Sequence, residues 1–260
     1  MKLHLQVITT PSQHQNNNNL VRAFLMCTAF GIVQLPSMAQ AQSYWIESDQ
    51  VINPSYSAAV FGARYKVDNT NWDMGISDGQ AAPSLTVNLG NKNALNNTPF
   101  NFSLTHRAGQ GFIWTLTNTI TSVTNTLAWG TGFNPALPSG ALRATTVNGK
   151  AIGSSFNSLQ IYARANKSNS SVSLSQLRFT PANNSSLELE DGSFITPTTI
   201  NENSSLTQRL VADTNLAEQD WVLSGVVSIY NQSGTGESVA LNIYGDCLLY
   251  TSDAADEEDS

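Results

Sequence analysis

The segment "DWVLSGVVSIY" (residues 220–230) sets the fold class. Trp221, Leu223, Gly225, Val227 and Ile229 take every second position, and Ser224 and Ser228 fall between them. A period of two is that of a β-strand, whose successive side chains point to opposite faces. An apolar face backed by a face carrying hydroxyls is the pattern of an antiparallel strand half-buried on a core. The same alternation recurs in "FNFSLTH" (100–106), with Phe100, Phe102 and Leu104, and in "GFIWTLTNT" (111–119), with Phe112, Trp114 and Leu116. It returns in "SLQIYARA" (158–165), with Leu159, Ile161 and Ala163, and in "SVALNIYG" (238–245), with Val239, Leu241 and Ile243. In "SVSLSQLRF" (171–179) Val172 and Leu174 hold one parity while Leu177 and Phe179 take the other, which predicts a β-bulge.

The runs are separated by "HRAGQG", "NPALPSG", "VNGK", "NKSNSS", "PANNSS", "EDGS" and "NQSGTGE". Asn, Asp and Gly tolerate positive φ and Pro presets φ, so these are turns with a mechanism. No window reads as an amphipathic helix, and "NLGNKNALNN" (88–97) has room for one helical turn at most. Many short strands between regular turns predict an all-β chain, an antiparallel β-sandwich of jelly-roll type. Alternation is weaker over residues 44–97, and Pro and Gly concentrate at 130–153, a weak boundary inside one domain.

The two ends read differently from the middle. Residues 1–41 hold Lys2 and Arg22 and no acidic residue, followed by the apolar run "AFLMCTAFGIVQL" (23–35), Pro36, and an A-x-A pattern at Ala39 and Ala41. That is the layout of a secretory signal peptide with Gln42 as the mature N-terminus. The run is shorter than the roughly 20 apolar residues a membrane span needs. At the other end, "CLLYTSDAAD" (247–256) resembles the translation of a transposase sequencing adapter, codon by codon. The reading frame also fits Glu257 and the last base of the Asp246 codon. The expected layout is a signal peptide at 1–41, a β-sandwich at 42–246 and a non-native tail at 247–260.

Trimming both ends leaves 205 residues and moves the formal charge from −7 to −4. No Lys/Arg cluster is present, so the electrostatic footprint of a nucleic-acid binder is missing. Cys27 lies in the leader and Cys247 in the tail, so a disulfide framework is excluded for an exported chain. Stability must come from burial, and Trp72, Trp114, Trp129 and Trp221 mark a real core.

Candidate chemistry is sparse. His106 is the one histidine between residues 42 and 246, which excludes a multi-histidine metal site. "SLTHRAG" gives no nucleophile elbow, so His106 reads as a strand-end or turn residue and no catalytic residue is assigned. "DNTNWDMGISDG" (68–79) carries Asp68, Asp73 and Asp78 with glycines nearby, oxygen donors of the kind Ca²⁺ takes in loops. Thr70 and Trp72 depart from the calcium-loop pattern, and the competing reading is a polar turn. Glu188 and Glu190 in "ELEDG" sit on one side of one strand, which suits a solvated sheet edge better than a glycosidase pair. Trp72, Trp129 and Tyr162 are candidates for an aromatic sugar-stacking platform, with Trp129 in "LAWGTGFNP" the most loop-like.

Residues 154–179, "SSFNSLQIYARANKSNSSVSLSQLRF", and 220–246, "DWVLSGVVSIYNQSGTGESVALNIYGD", resemble the choice-of-anchor domain, W type, of bacterial surface proteins. The resemblance covers about the last two-fifths of the native part. It implies export by a Gram-negative bacterium, no enzymatic activity, and a PEP-CTERM sorting signal of Pro-Glu-Pro, apolar helix and basic cluster. Such a terminus is not present here, as expected of a chain that runs into adapter at Asp246. The expectation is a secreted, surface-anchored β-sandwich with a structural or extracellular-matrix role, and the alternative is a carbohydrate-binding module. The partner expected in either case is an extracellular polysaccharide or surface matrix.

Overall fold

The computed structural model describes residues 44–47, 59–67, 70–79, 85–152, 155–182, 187–188, 198–201, 204–231 and 239–247. The expected signal peptide, nearly all of the expected tail, Asp68, Glu190, the turn "EDGS" and all of the turn "NQSGTGE" but Asn231 lie outside them.

The chain forms β1 (Tyr44–Glu47), β2 (Ala59–Val67), β3 (Asn71–Ser77), β4 (Leu85–Asn91), α1 (Lys92–Leu95), β5 (Pro99–Arg107), β6 (Gly111–Asn118), β7 (Thr124–Gly130) and β8 (Leu142–Ala144). It continues through β9 (Ser158–Ala165), β10 (Ser170–Pro181), β11 (Leu187–Glu188), β12 (Thr198–Asn201), β13 (Ser204–Ala212), β14 (Trp221–Asn231) and β15 (Val239–Asp246). A seven-stranded sheet runs β1-β13-β9-β15-β2-β3-β4, and an eight-stranded sheet runs β11-β10-β14-β5-β6-β7-β8, with β12 also on β10. Pairing is antiparallel except between β7 and β8. From β9 onward the chain crosses repeatedly between the sheets, which is the jelly-roll habit.

The all-β sandwich expected from the alternation is what forms. β14 buries every second residue along its whole length, from Trp221 to Asn231. The two inner faces make one core: Phe61 of β2 packs on Phe112 of β6 at 4.0 Å, and Tyr65 of β2 on Phe100 of β5 at 5.3 Å. The Trp114 indole N–H of β6 donates to the Arg64 carbonyl of β2 (3.1 Å), a polar tie between the sheets. The bulge in β10 falls between Ser175 and Arg178, with Gln176 at φ +53°. The helical turn expected within residues 88–97 is α1, whose start is capped by the Asn91 side chain accepting from the Asn93 N–H.

Two expectations need correction. The segment 59–91 is as regular as the rest: β2, β3 and β4 pair in sequence along one flank of the seven-stranded sheet. Residues 130–153 do not mark a boundary, because strands from both sides of them interleave in both sheets. β15 shows why alternation alone is an incomplete guide. It sits between β9 and β2 and is buried on both faces, its outward Asn242, Tyr244 and Asp246 included.

Candidate functional site

The aromatic platform is not assembled. Trp72 is fully buried, stacked on Tyr65 at 5.3 Å, with its N–H donating to the Lys92 carbonyl (2.9 Å). Trp129 is also fully buried, its ring 6.4 Å from that of Phe112. Parity is the reason: Trp72 shares the inward face of β3 with Met74 and Ile76, and Trp129 shares that of β7 with Leu127. Tyr162 is half-buried on the outward face of β9, in register with Thr207 and Asn242. The three rings therefore present no common surface.

Asp73 and Asp78 are not brought together as calcium ligands either. Most of the acidic segment is strand β3, in which Asp73 points outward between Arg64 (4.0 Å) and Lys66 (3.8 Å). Asp78 lies just past the strand end, roughly 16 Å further along at the strand rise. Its carboxylate is buried, accepts from the Asn148 amide (2.8 Å) and pairs with Lys150 Nζ (2.8 Å). Asp73 and Asp78 are each matched by cations of their own, and the described residues contain no group of three side chains able to hold a metal.

The site that does form lies at one end of the sandwich, beside His106. The β5–β6 hairpin turns through Ala108, Gly109 and Gln110, with Gly109 at φ +69° and Gly111 at φ +132°. Asp220 caps the turn by accepting the Ala108 N–H at 2.7 Å. Gln110 then anchors the segment after β7: its carbonyl accepts the Thr131 N–H and its Oε1 accepts the Asn134 N–H, both at 2.9 Å. Between this hairpin and residues 145–152 lies a cleft of about 360 Å³, lined by His106, Gln110, Gly130, Thr131, Thr145 and Ile152 among others.

His106 is a buried polar group in the lining of the cleft. It faces inward opposite Trp221 and Phe112, with ring centroids 5.5 Å and 4.7 Å away and the Trp221 ring nearly parallel. Nδ1 lies 2.6 Å from the Gln219 carbonyl, which can only accept, so Nδ1 carries the hydrogen. Nε2 then holds a lone pair, and it has no partner among the described residues. Burial pushes the His106 pKa below the usual histidine range, against the smaller opposing pulls of the Gln219 hydrogen bond and the Asp220 charge. His106 is thus neutral at pH 7.

A pH dependence follows. The folded-state pKa is lowered, so below about pH 6.5 the unfolded chain takes a proton that the folded chain refuses. Stability is therefore expected to fall as pH drops through and below 6.5, by at most about 1.4 kcal/mol per pH unit until the folded pKa is reached. Urea unfolding between about pH 7.5 and pH 5 measures it, and His106→Gln should flatten that part of the profile. An unchanged slope in the variant would assign the effect to other groups.

His106 at a strand end agrees with the sequence. The cleft itself had little signal beyond the paired Gly motifs "AGQG" and "WGTG". No protein-family model matches the chain, and no curated protein is similar to it. No described helix is long and apolar enough to cross a membrane.

Proposed function

We propose that this chain is a secreted, surface-anchored, non-enzymatic bacterial β-sandwich with a structural or extracellular-matrix role. The observation that carries the proposal is the outward face of the eight-stranded sheet. Arg178, Ser224, Ser103 and Thr115 form one cross-strand row there, on β10, β14, β5 and β6, which runs on to the buried Thr126 of β7. Val226, Asn101, Thr117 and Thr124 form the next. Apart from Arg178 and Val226 these are short hydroxyl and amide side chains, which hydrogen-bond readily to water and to polyhydroxyl surfaces. Trp72, Trp114, Trp129 and Trp221 are meanwhile committed to the core. The leader-like residues 1–41 and the resemblance of 154–179 and 220–246 to choice-of-anchor domains support export and anchoring.

Expression of the full chain in a Gram-negative host, with fractionation and intact-mass measurement, tests this. The expected product lies outside the cytoplasm and begins at Gln42, and deletion of residues 23–35 retains it inside. An unprocessed cytoplasmic product in the parent chain would overturn the proposal. The carbohydrate-module alternative loses its tryptophan platform, since neither Trp72 nor Trp129 reaches the surface.

A further inference from the structure

We propose that the cleft beside His106 binds the neutral, hydroxyl-bearing end of a glycan, one sugar unit deep, with His106 Nε2 accepting a sugar hydroxyl. The source of the glycan rests on the extracellular reading above; the site rests on its own geometry.

The cleft, at about 360 Å³, lies within the ~300–1,000 Å³ of small-molecule sites. Its lining carries no charged side chain, which disfavours an ionic ligand, whose desolvation would go uncompensated. It does present complementary hydrogen-bonding groups. His106 Nε2 accepts. The Gln110 amide nitrogen donates, its oxygen being held by the Asn134 N–H. The Thr131 and Thr145 hydroxyls do either. Ile152 and Ala151 add an apolar patch suited to the C–H face of a sugar ring. His106 is 2% exposed and fixed by Trp221, Phe112 and the Gln219 carbonyl, so its free nitrogen is held ready without rearrangement.

The outer wall is braced as well. Thr145, Ala151 and Ile152 flank the Val147–Lys150 turn, which is closed by two backbone hydrogen bonds of 3.0 Å. Asn148 and Gly149 both have positive φ, as a tight hairpin turn of this kind requires. Asp78 clasps that turn through Asn148 and Lys150, tying the wall to the end of β3.

The test uses residues 42–260 produced directly, without a leader, in which His106 is the sole histidine and its imidazole resonances are unambiguous. It is titrated with glucose, galactose, mannose and N-acetylglucosamine, and with glucuronate as the charged control. At least one neutral sugar should shift the His106 Nε2 resonance saturably, with glucuronate at least several-fold weaker. Thr145→Trp, a change at an exposed position, should fill the cleft and abolish the shift while the thermal midpoint holds. Should that variant not fold, Thr131→Val should weaken binding several-fold. No shift with any neutral sugar, an equal response to glucuronate, or a shift that survives in the folded variant would overturn the proposal. The sugar titration is read on purified protein, so its outcome is independent of the export test.

Discussion

Trp129→Ala is expected to destabilise the fold by about 3–5 kcal/mol, the usual cost of removing a buried Trp or Phe from a packed core. The side chain has no exposed surface and packs in the aromatic group that holds Phe112, Phe61 and Trp221. A platform tryptophan on an open rim would give the opposite pattern, lost binding with little change in stability. Equilibrium urea unfolding followed by circular dichroism separates the two. A loss below about 1 kcal/mol would return Trp129 to the surface. The phenylalanine variants refine the point. The Trp129 N–H is buried with no partner among the described residues, whereas the Trp72 N–H donates to the Lys92 carbonyl at 2.9 Å. An unpaired buried donor is already costly, so removing it offsets part of the lost packing. Trp129→Phe should therefore be milder than Trp72→Phe by about 1 kcal/mol.

Gly130→Ala should cost about 2–5 kcal/mol, from positive-φ strain of about 1–2 kcal/mol and overpacking of about 1–3 kcal/mol. Gly130 has φ +141°, and a Cβ there would sit 1.9 Å from the Gln110 carbonyl oxygen. Gly111, its register partner on β6, is equally confined: a Cβ would lie 2.0 Å from the Trp129 carbonyl oxygen. Both obstacles are backbone atoms, so no rotamer change relieves them. The exposed Gly149 is the matched control, with φ +75° and nothing within 4 Å of where a Cβ would stand. Gly149→Ala should show the strain without the clash and lose about 1–2 kcal/mol. Equal losses at the two positions would mean that Gly130 is less tightly packed than its geometry implies.

These two residues explain why the candidate site was the least legible part of the chain. In "LAWGTGFNP" the glycines and proline look like loop, which makes Trp129 look exposed. In the fold, Gly130 and Gly111 are the reason β7 and β6 stay paired to their ends, because only residues without a Cβ can approach so closely. Trp72 was obscured in a similar way. Asp73, Gly75 and Asp78 gave "DNTNWDMGISDG" the composition of a polar turn, while Trp72, Met74 and Ile76 kept strict alternation beneath it. The outward acidic side chain is tolerated because Arg64 and Lys66 of the neighbouring β2 face it, a partnership between strands rather than along one.

Residue order was enough to specify the all-β class, the parity of β5, β6, β9, β14 and β15, the bulge in β10 and the brevity of α1. Each of these depends on side-chain period or local turn chemistry within about ten residues, and such information is written in order along the chain. Folding in three dimensions was needed to establish which strands are buried on both faces, which carboxylate meets which cation, and that His106 lines a cleft. Those outcomes depend on pairs such as His106 with Gln219, Asp78 with Lys150 and Gly111 with Gly130, whose members are far apart in sequence. Their energies come from desolvation and close approach, which exist only once the two sheets have met.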